Sequence, residues 1–239
     1  MTPRPLARMR RAARWMAVLS TLGVLALAGC DPRSLIYFLQ PFEPTIAPPC
    51  PSLKGKRVVV ITNTVPGTQS DFASLDRDLT RQIVTILREN VKKIDVVDPE
   101  KVFTWSAGNP SWTESADLAK AFEADAVIFL EVQHFEIQNP SSPGLYEGRS
   151  NVHIRVTEWD YPKDSRDRKM TDKPKESKIL YEGDRDTSFP VTGHIAASAD
   201  VSRASFKNKF LKLVATEVSW HFVPHAHGDN IQDTKFHGE

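Results

Sequence analysis

The sequence has few of the features that identify an enzyme or a disulfide-rich domain. It contains only two cysteines, Cys30 and Cys50, so a disulfide framework is excluded. It has no Gly-x-Ser-x-Gly, His-Glu-x-x-His or phosphate-loop motif, and the usual signals of nucleophilic, zinc or nucleotide chemistry are therefore missing. No internal repeat is present. We therefore predict a non-enzymatic protein without a cofactor or a bound metal; the alternative is an enzyme whose site no motif reveals.

The chain also lacks a hydrophobic run long enough to span a bilayer comfortably. Its apolar segment Trp15–Ala28 is too short for this, and it follows a basic start without acids, which is typical of a secretory signal. The order Leu-Ala-Gly-Cys that ends at Cys30 resembles the bacterial lipobox, at which the cysteine is lipidated and becomes the mature first residue. We predict a signal peptide over residues 1–29 and an acyl anchor of the palmitate type at Cys30. The alternatives are an uncleaved anchor and a soluble secreted protein.

The chain has no large excess of charge of either sign. There are 31 basic and 30 acidic residues, and the predicted signal peptide removes five arginines, which leaves 26 against 30 and a formal charge of −4. This balance argues against a nucleic-acid partner. Cys50 then has no partner within the chain, and we expect a free thiol in a flexible region, with an intermolecular disulfide as the alternative.

Proline is concentrated after the predicted anchor. Six prolines lie within residues 31–56 and favour an extended tether. The apolar stretch Leu35–Phe42 within it is expected to dock on the domain or to lie against the membrane. We therefore predict a lipidated cysteine and tether over residues 30–56, a folded domain over 57–223 and a disordered polar tail over 224–239.

The periodicity of the domain predicts alternating strands and helices. The apolar run Val58–Ile61 indicates a buried strand, and residues 71–90 place apolar side chains three and four apart, as in an amphipathic helix capped by Ser70. The same reasoning predicts later strands over residues 93–97, 125–138, 149–159 and 178–186. It also predicts two helices that begin near Asp98 and Thr113, and a final helix over residues 200–220. Residues 161–177 are crowded with charge and are expected to form a solvated loop. The order predicts an α/β fold, a mixed sheet with packed helices in a single domain.

Two segments also carry a family resemblance. Leu79–Val102 and Asp117–Phe135 resemble the curli-secretion lipoprotein CsgG and the amino-terminal domain of TolB, in which a helix leads to a short strand ending near an acid and a second helix leads to a strand opening with Ala-Asp. The same fold resembles that of the lipoprotein LpoB, which activates a peptidoglycan synthase. The resemblance implies a periplasmic domain that binds other proteins. The charged segment 160–177 departs from the amphipathic hairpins of CsgG-type channels, which argues against a pore.

Two groups of side chains are candidates for cation sites. The tripeptide Asp-Arg-Asp occurs at residues 76–78 and 184–186; the first pair of carboxylates points to different faces of a helix and the second is expected in an exposed turn. His221, His225, His227, Asp229 and His237 form a second group, but Pro224 indicates that the helix ends before His225. A solvated tail is favoured over a weak metal site, and His134 and His153 are expected to be surface or half-buried hydrogen-bonding residues.

These observations favour one class of function. We predict a lipoprotein of the bacterial cell envelope that is held on the bilayer through Cys30, faces the periplasm and acts as a protein-binding or assembly module. Its expected partner is another envelope protein, and a homo-oligomer is left open. The alternative is an enzyme of the envelope. Convergent ionisable groups in a pocket favour that enzyme, whereas an exposed apolar patch or an unpaired sheet edge favours binding.

Overall fold

The fold is seen in a computed structural model, which describes residues 45–69, 72–112, 115–138, 141–142, 144–159, 177–191, 193–196, 198 and 201–226. The chain divides into two compact units, Met1–Thr45 and Ile46–Glu239, and the fold is that of the second. The predicted signal peptide and Cys30, most of the tether with Leu35–Phe42, and the charged segment up to residue 176 lie outside the described residues.

The second unit is an α/β domain built on a mixed sheet of six strands, as the sequence predicts. The sheet strands are β2 (Arg57–Thr64), β3 (Asp95–Val96), β4 (Ala126–Gln138), β5 (Leu145–Trp159), β6 (Ser177–Phe189) and β7 (Ile195–Ala196). The helices are α1 (Pro66–Gln69), α2 (Leu75–Asn90), α3 (Pro99–Gly108), α4 (Ser115–Phe122) and α5 (Arg203–Ser219). Two further two-residue strands are β1 (Thr45–Ile46) and β8 (His225–Ala226).

The strand order is β3-β2-β4-β5-β6, with β7 paired to the start of β5. β2 is parallel to β3 and β4, whereas β4, β5 and β6 form an antiparallel meander. The parallel strands are joined by helices and the antiparallel ones by direct connections, as strand geometry requires.

One face of the sheet carries the main core. α2 packs on β2, and α5 packs on β4, β5 and β6. The buried side chains of the two helices form one core with those of the strands. Phe206 and Phe210 of α5 are fully buried there, and Phe206 stacks on Tyr146 at 5.2 Å between ring centroids. Gly148 makes room for this packing, because a Cβ at that position would lie 2.5 Å from the Phe210 ring.

The opposite face has a smaller core. α3 and α4 cover β2 and the first half of β4 through Val59, Ile61, Val102, Leu118 and Val127. The predicted start of α3 near Asp98 is confirmed: Asp98 accepts a hydrogen bond from the Glu100 N–H, and Pro99 occupies the first turn. The helix start predicted near Thr113 lies outside the described residues. No helix in the described part of the chain is long and apolar enough to cross a membrane.

Several element boundaries differ from the sequence prediction. The helix expected over residues 71–90 begins at Leu75, and the proposed cap Ser70 lies outside the described residues. β5 begins four residues before Arg149 because its start pairs with β7. β6 continues to Phe189, so the second Asp-Arg-Asp lies in a strand and not in a turn. The final helix ends at Ser219, before Pro224, as predicted.

The expectation that Cys50 lies in a flexible region is wrong, whereas the expected free thiol is confirmed. Its side chain is 3% exposed and lies in the main core with Leu53, and its backbone N–H donates to the His221 carbonyl at 3.1 Å. These contacts tie the segment before β2 to the end of α5. This stretch is rich in proline, but the side chains of Cys50 and Leu53 are apolar and lie buried in the core.

The Cys50 thiol should resist alkylation in the folded protein. Burial raises its pKa to about 11, so little thiolate is present near pH 8, and the side chain is closed to reagents. We expect iodoacetamide at pH 8 to label the Cys50 peptide at least tenfold more slowly in the native protein than in urea, as measured by mass spectrometry. Equal labelling rates would contradict this packing.

Candidate functional site

The meander carries an exposed surface on the side away from α2 and α5. Side chains alternate along strands, and the cross-strand register places one alternating set of β4, β5 and β6 together. We name this set the open face: Glu131, His134, Glu136, Glu147, Arg149, Asn151, His153, Arg155, Glu182, Asp184 and Asp186. Most of these side chains are exposed or half-buried, which distinguishes the open face from the core on the other side of the same strands.

Three cross-strand pairs link β5 and β6 on the open face. Arg155 donates to Glu182 at 2.6 and 2.9 Å, and the carboxylate of Asp184 lies 2.8 Å from His153 Nδ1. Asn151 donates to Asp186 at 2.7 Å. The hydrogen bond from Arg155 is the main reason that the pKa of Glu182 lies below its ordinary value. Such exposed pairs fix register and contribute little to stability.

The open face is acidic. It holds six carboxylates, on Glu131, Glu136, Glu147, Glu182, Asp184 and Asp186, and two arginines, Arg149 and Arg155. With neutral histidines the formal charge is 2 − 6 = −4. Since a surface field of one sign attracts partners of the other sign, this face favours cationic groups.

The other side of β6 is fixed to α5. Glu217 accepts hydrogen bonds from Arg185 at 2.7 and 3.0 Å and from Thr187 at 2.8 Å. The Arg185 guanidinium also lies 5.3 Å from the Trp220 ring. Thr187 is 3% exposed. These contacts hold the strand against the helix from behind, while its acidic side chains stay in solvent.

A second polar cluster lies at the end of α5. The Tyr181 hydroxyl is 2.8 Å from His221 Nδ1, and Cys50 lies close enough to raise the pKa of Tyr181 further after the larger effect of burial. Burial, followed by the nearby Arg185 cation, lowers the pKa of His221 to about 4. The cluster thus holds a protonated thiol and a neutral imidazole, whereas a nucleophilic cysteine needs a lowered pKa.

Acid should weaken the fold through His221. In the unfolded chain its imidazole takes up a proton below about pH 6.5, but in the folded chain only near pH 4. The free energy of unfolding therefore falls as the pH drops from about 6.5 to 4, by about 1–2 kcal/mol after allowance for solvent screening of a half-buried ring. Urea unfolding at both pH values, compared with His221→Asn, measures this difference. An equal pH dependence in the variant would contradict it.

The sequence candidates fall in different places. Asp76 and Asp78 do not converge: Asp76 is partly buried and accepts a hydrogen bond from Thr64, whereas Asp78 accepts from Ser74 at 2.7 Å. Burial raises the pKa of Asp76. Asp184 and Asp186, in contrast, share one face of β6, because residues two apart in a strand point the same way.

The histidines are separated as well. His134 lies at the surface 3.4 Å from Glu136, and His153 is half-buried on the open face, as predicted for both. His225 stacks on Trp220 at 4.5 Å and not on His221. His227, Asp229, His237 and Cys30 lie outside the described residues. Within the described ranges, no group of three metal-ligating side chains is found.

Sequence reasoning missed the open face and Glu217. One signal for the open face is present in the sequence: Glu182, Asp184 and Asp186 occupy every second position. The role of Glu217 gave no such signal, because its partners on β6 are about thirty residues away.

Three solved structures resemble the chain in the arrangement of its elements. The PelC dodecamer from Paraburkholderia phytofirmans aligns with a TM-score of 0.41 and 11% identity over 75% of this chain and 96% of that chain. The hypothetical protein CT253 from Chlamydia trachomatis gives 0.39 and 13% over 70% and 97%. The lipoprotein GNA1162 from Neisseria meningitidis gives 0.37 and 12% over 71% and 99%.

No family model matches the chain, and no curated protein matches it. The resemblance to CsgG, TolB and LpoB therefore stays a prediction.

Proposed function

We propose that this chain is a lipoprotein of the bacterial cell envelope whose α/β domain binds another envelope protein and does not catalyse a reaction. Cys30 is the proposed anchor, and residues between it and the domain are the proposed tether. The observation that carries the binding role is the open face, which combines exposed cross-strand pairs with a net charge of −4. A surface of this kind offers specificity and rapid association with a partner of opposite charge.

The arrangement of the polar groups supports binding over catalysis. The carboxylates of Glu182, Asp184 and Asp186 on β6 bind side chains of β5 across the strands and lie in solvent. In the cluster of Cys50, Tyr181 and His221 the thiol is buried and protonated. General acid or base catalysis needs a group with a tuned pKa that faces a substrate, and neither cluster supplies one.

The anchor is tested at Cys30. Replacing Cys30 by Ala should abolish incorporation of labelled fatty acid and processing by the lipoprotein peptidase, because the thiol at the lipobox position is removed. Metabolic labelling followed by gel analysis measures both. Cys50→Ala is the matched control and should be labelled as the wild type is. Labelled lipid in the Cys30→Ala protein would contradict the anchor.

The binding role is tested by affinity capture from detergent-solubilised envelopes of the host bacterium, with the full chain as bait. We expect a protein that is retained by the wild type and lost from Asp186→Lys, since this change reverses one charge on the open face. Glu89→Lys makes the same change on the exposed side of α2 and should retain the protein. Loss from both variants, or from neither, would contradict binding through the open face.

A further inference from the structure

The outer edge of β6 is the strongest unassigned feature of the domain. β6 is 13 residues long and pairs with β5 on one side. Among the described residues, no strand pairs with its other side. An edge strand presents backbone N–H and C=O groups that an additional strand can pair with. Over Leu180–Ser188 this edge is long enough for a partner segment of seven or more residues.

The edge is held in place before any partner arrives. Arg185 and Thr187 bind Glu217, and Tyr181 binds His221, so three side chains on this side of the strand are fixed to α5 or to the residues that follow it. A strand that is already ordered loses little conformational entropy when another strand is added. The edge is therefore a preformed template.

The charges on β6 decide which strand fits. Glu182, Asp184 and Asp186 occupy alternate exposed positions. Only Glu182 faces an arginine; Asp184 faces the imidazole of His153, and Asp186 faces the amide of Asn151. Asp184 and Asp186 thus have no arginine or lysine as their cross-strand partner on β5.

A second copy of the chain is disfavoured by the same pattern. A two-fold antiparallel pairing of β6 with itself, centred anywhere from Glu182 to Asp186, brings carboxylates opposite carboxylates. Like charges directly opposite each other destabilise a strand pair, whereas opposite charges stabilise it. A segment with lysine or arginine at alternate positions places these side chains beside the three carboxylates.

We propose that β6 receives an extended segment of a partner protein, with lysine or arginine at alternate positions, as an additional strand of the sheet. This inference rests on the proposed binding function and specifies the partner's chemistry and the mode of contact. Backbone pairing supplies the register, and Asp184 and Asp186 select the basic side chains.

The proposal is tested with three capped heptapeptides and the full chain in detergent. The first peptide alternates lysine and valine; the second replaces each lysine by glutamate; the third is the lysine peptide methylated on every backbone nitrogen, which keeps the charges and removes the N–H donors. Fluorescence anisotropy measures the dissociation constant, and hydrogen exchange measures the protection of Leu180–Ser188.

We expect the lysine peptide to bind at least tenfold more tightly than either of the other two and to slow amide exchange in Leu180–Ser188 at least threefold. Asp184→Asn combined with Asp186→Asn should weaken its binding at least fivefold, and Glu89→Gln should not change it. Absence of binding, equal binding of the methylated peptide, or protection elsewhere in the chain would overturn the proposal. If a partner is captured through the open face but the chain binds none of the peptides, strand addition alone is overturned and the proposed function stands.

Discussion

Replacing Phe206 by Ala should lower the free energy of unfolding by about 3–5 kcal/mol, the cost of removing a large buried aromatic side chain and leaving a cavity. Phe206 is completely buried and lies against three other rings: Tyr146 and Phe189 on the strands and Phe210 one turn further along α5. Because small domains are stable by about 5–15 kcal/mol, this loss removes a large part of the total. Equilibrium unfolding in urea, followed by tryptophan fluorescence, measures it.

Lys212→Ala is the matched control for Phe206→Ala. Lys212 lies on the same helix with its side chain exposed, and we expect a change within about 0.5 kcal/mol. A loss below about 1 kcal/mol for Phe206→Ala would mean that α5 does not pack on the meander as described.

Replacing Glu217 by Ala should cost about 2–4 kcal/mol and should loosen β6 specifically. Its carboxylate is the shared acceptor for Arg185 and Thr187. Removing it leaves the buried Thr187 hydroxyl without this acceptor and the partly buried Arg185 cation without its counter-ion, and unpaired buried groups are costly. Urea unfolding measures the loss, and hydrogen exchange should rise first in Leu180–Ser188.

Two further variants separate this effect from a general loss of charge. Glu217→Gln keeps one acceptor oxygen and should lose less stability than Glu217→Ala. Glu182→Gln removes a carboxylate from the opposite, solvated side of β6 and should leave thermal unfolding close to that of the wild type. If Glu182→Gln were as destabilising as Glu217→Ala, the assignment of the two sides of β6 would be wrong.

The element types were predictable because hydrophobic periodicity records which face of each element is buried. Val152, Ile154 and Val156 alternate with polar residues, and this pattern identified a strand with one wet face. Asp98 followed by Pro99 marked the start of α3 for an equally local reason. The mixed sheet follows from the order of these elements.

The structural features that the sequence did not predict depend on contacts between residues far apart in the chain. Cys50 was assigned to a flexible segment because prolines surround it, but its burial is set by the end of α5, more than 150 residues away in sequence. The aspartates of the second Asp-Arg-Asp favour a turn, yet pairing with β5 carries β6 through them to Phe189. Tertiary pairing overrides the turn preference of aspartate in such a strand.

The site was only partly predictable for the same reason. The acidic residues of β6 were seen in the sequence, but their common surface with Arg155 and Asn151 depends on the register between β5 and β6. A shift of one residue in that register would turn the carboxylates toward α5. Binding through this surface is therefore a consequence of the fold and not of a motif.

The central claim, that the domain binds an envelope protein through the open face and the edge of β6, is tested most directly by site-specific photo-crosslinking in the intact host cell. A photoreactive residue is placed singly at Ser188, which is exposed on β6, and at Glu89, which is exposed on α2. The account predicts a light-dependent adduct with another envelope protein at Ser188 and none at Glu89. Adducts at Glu89 alone, or at neither position, would contradict it.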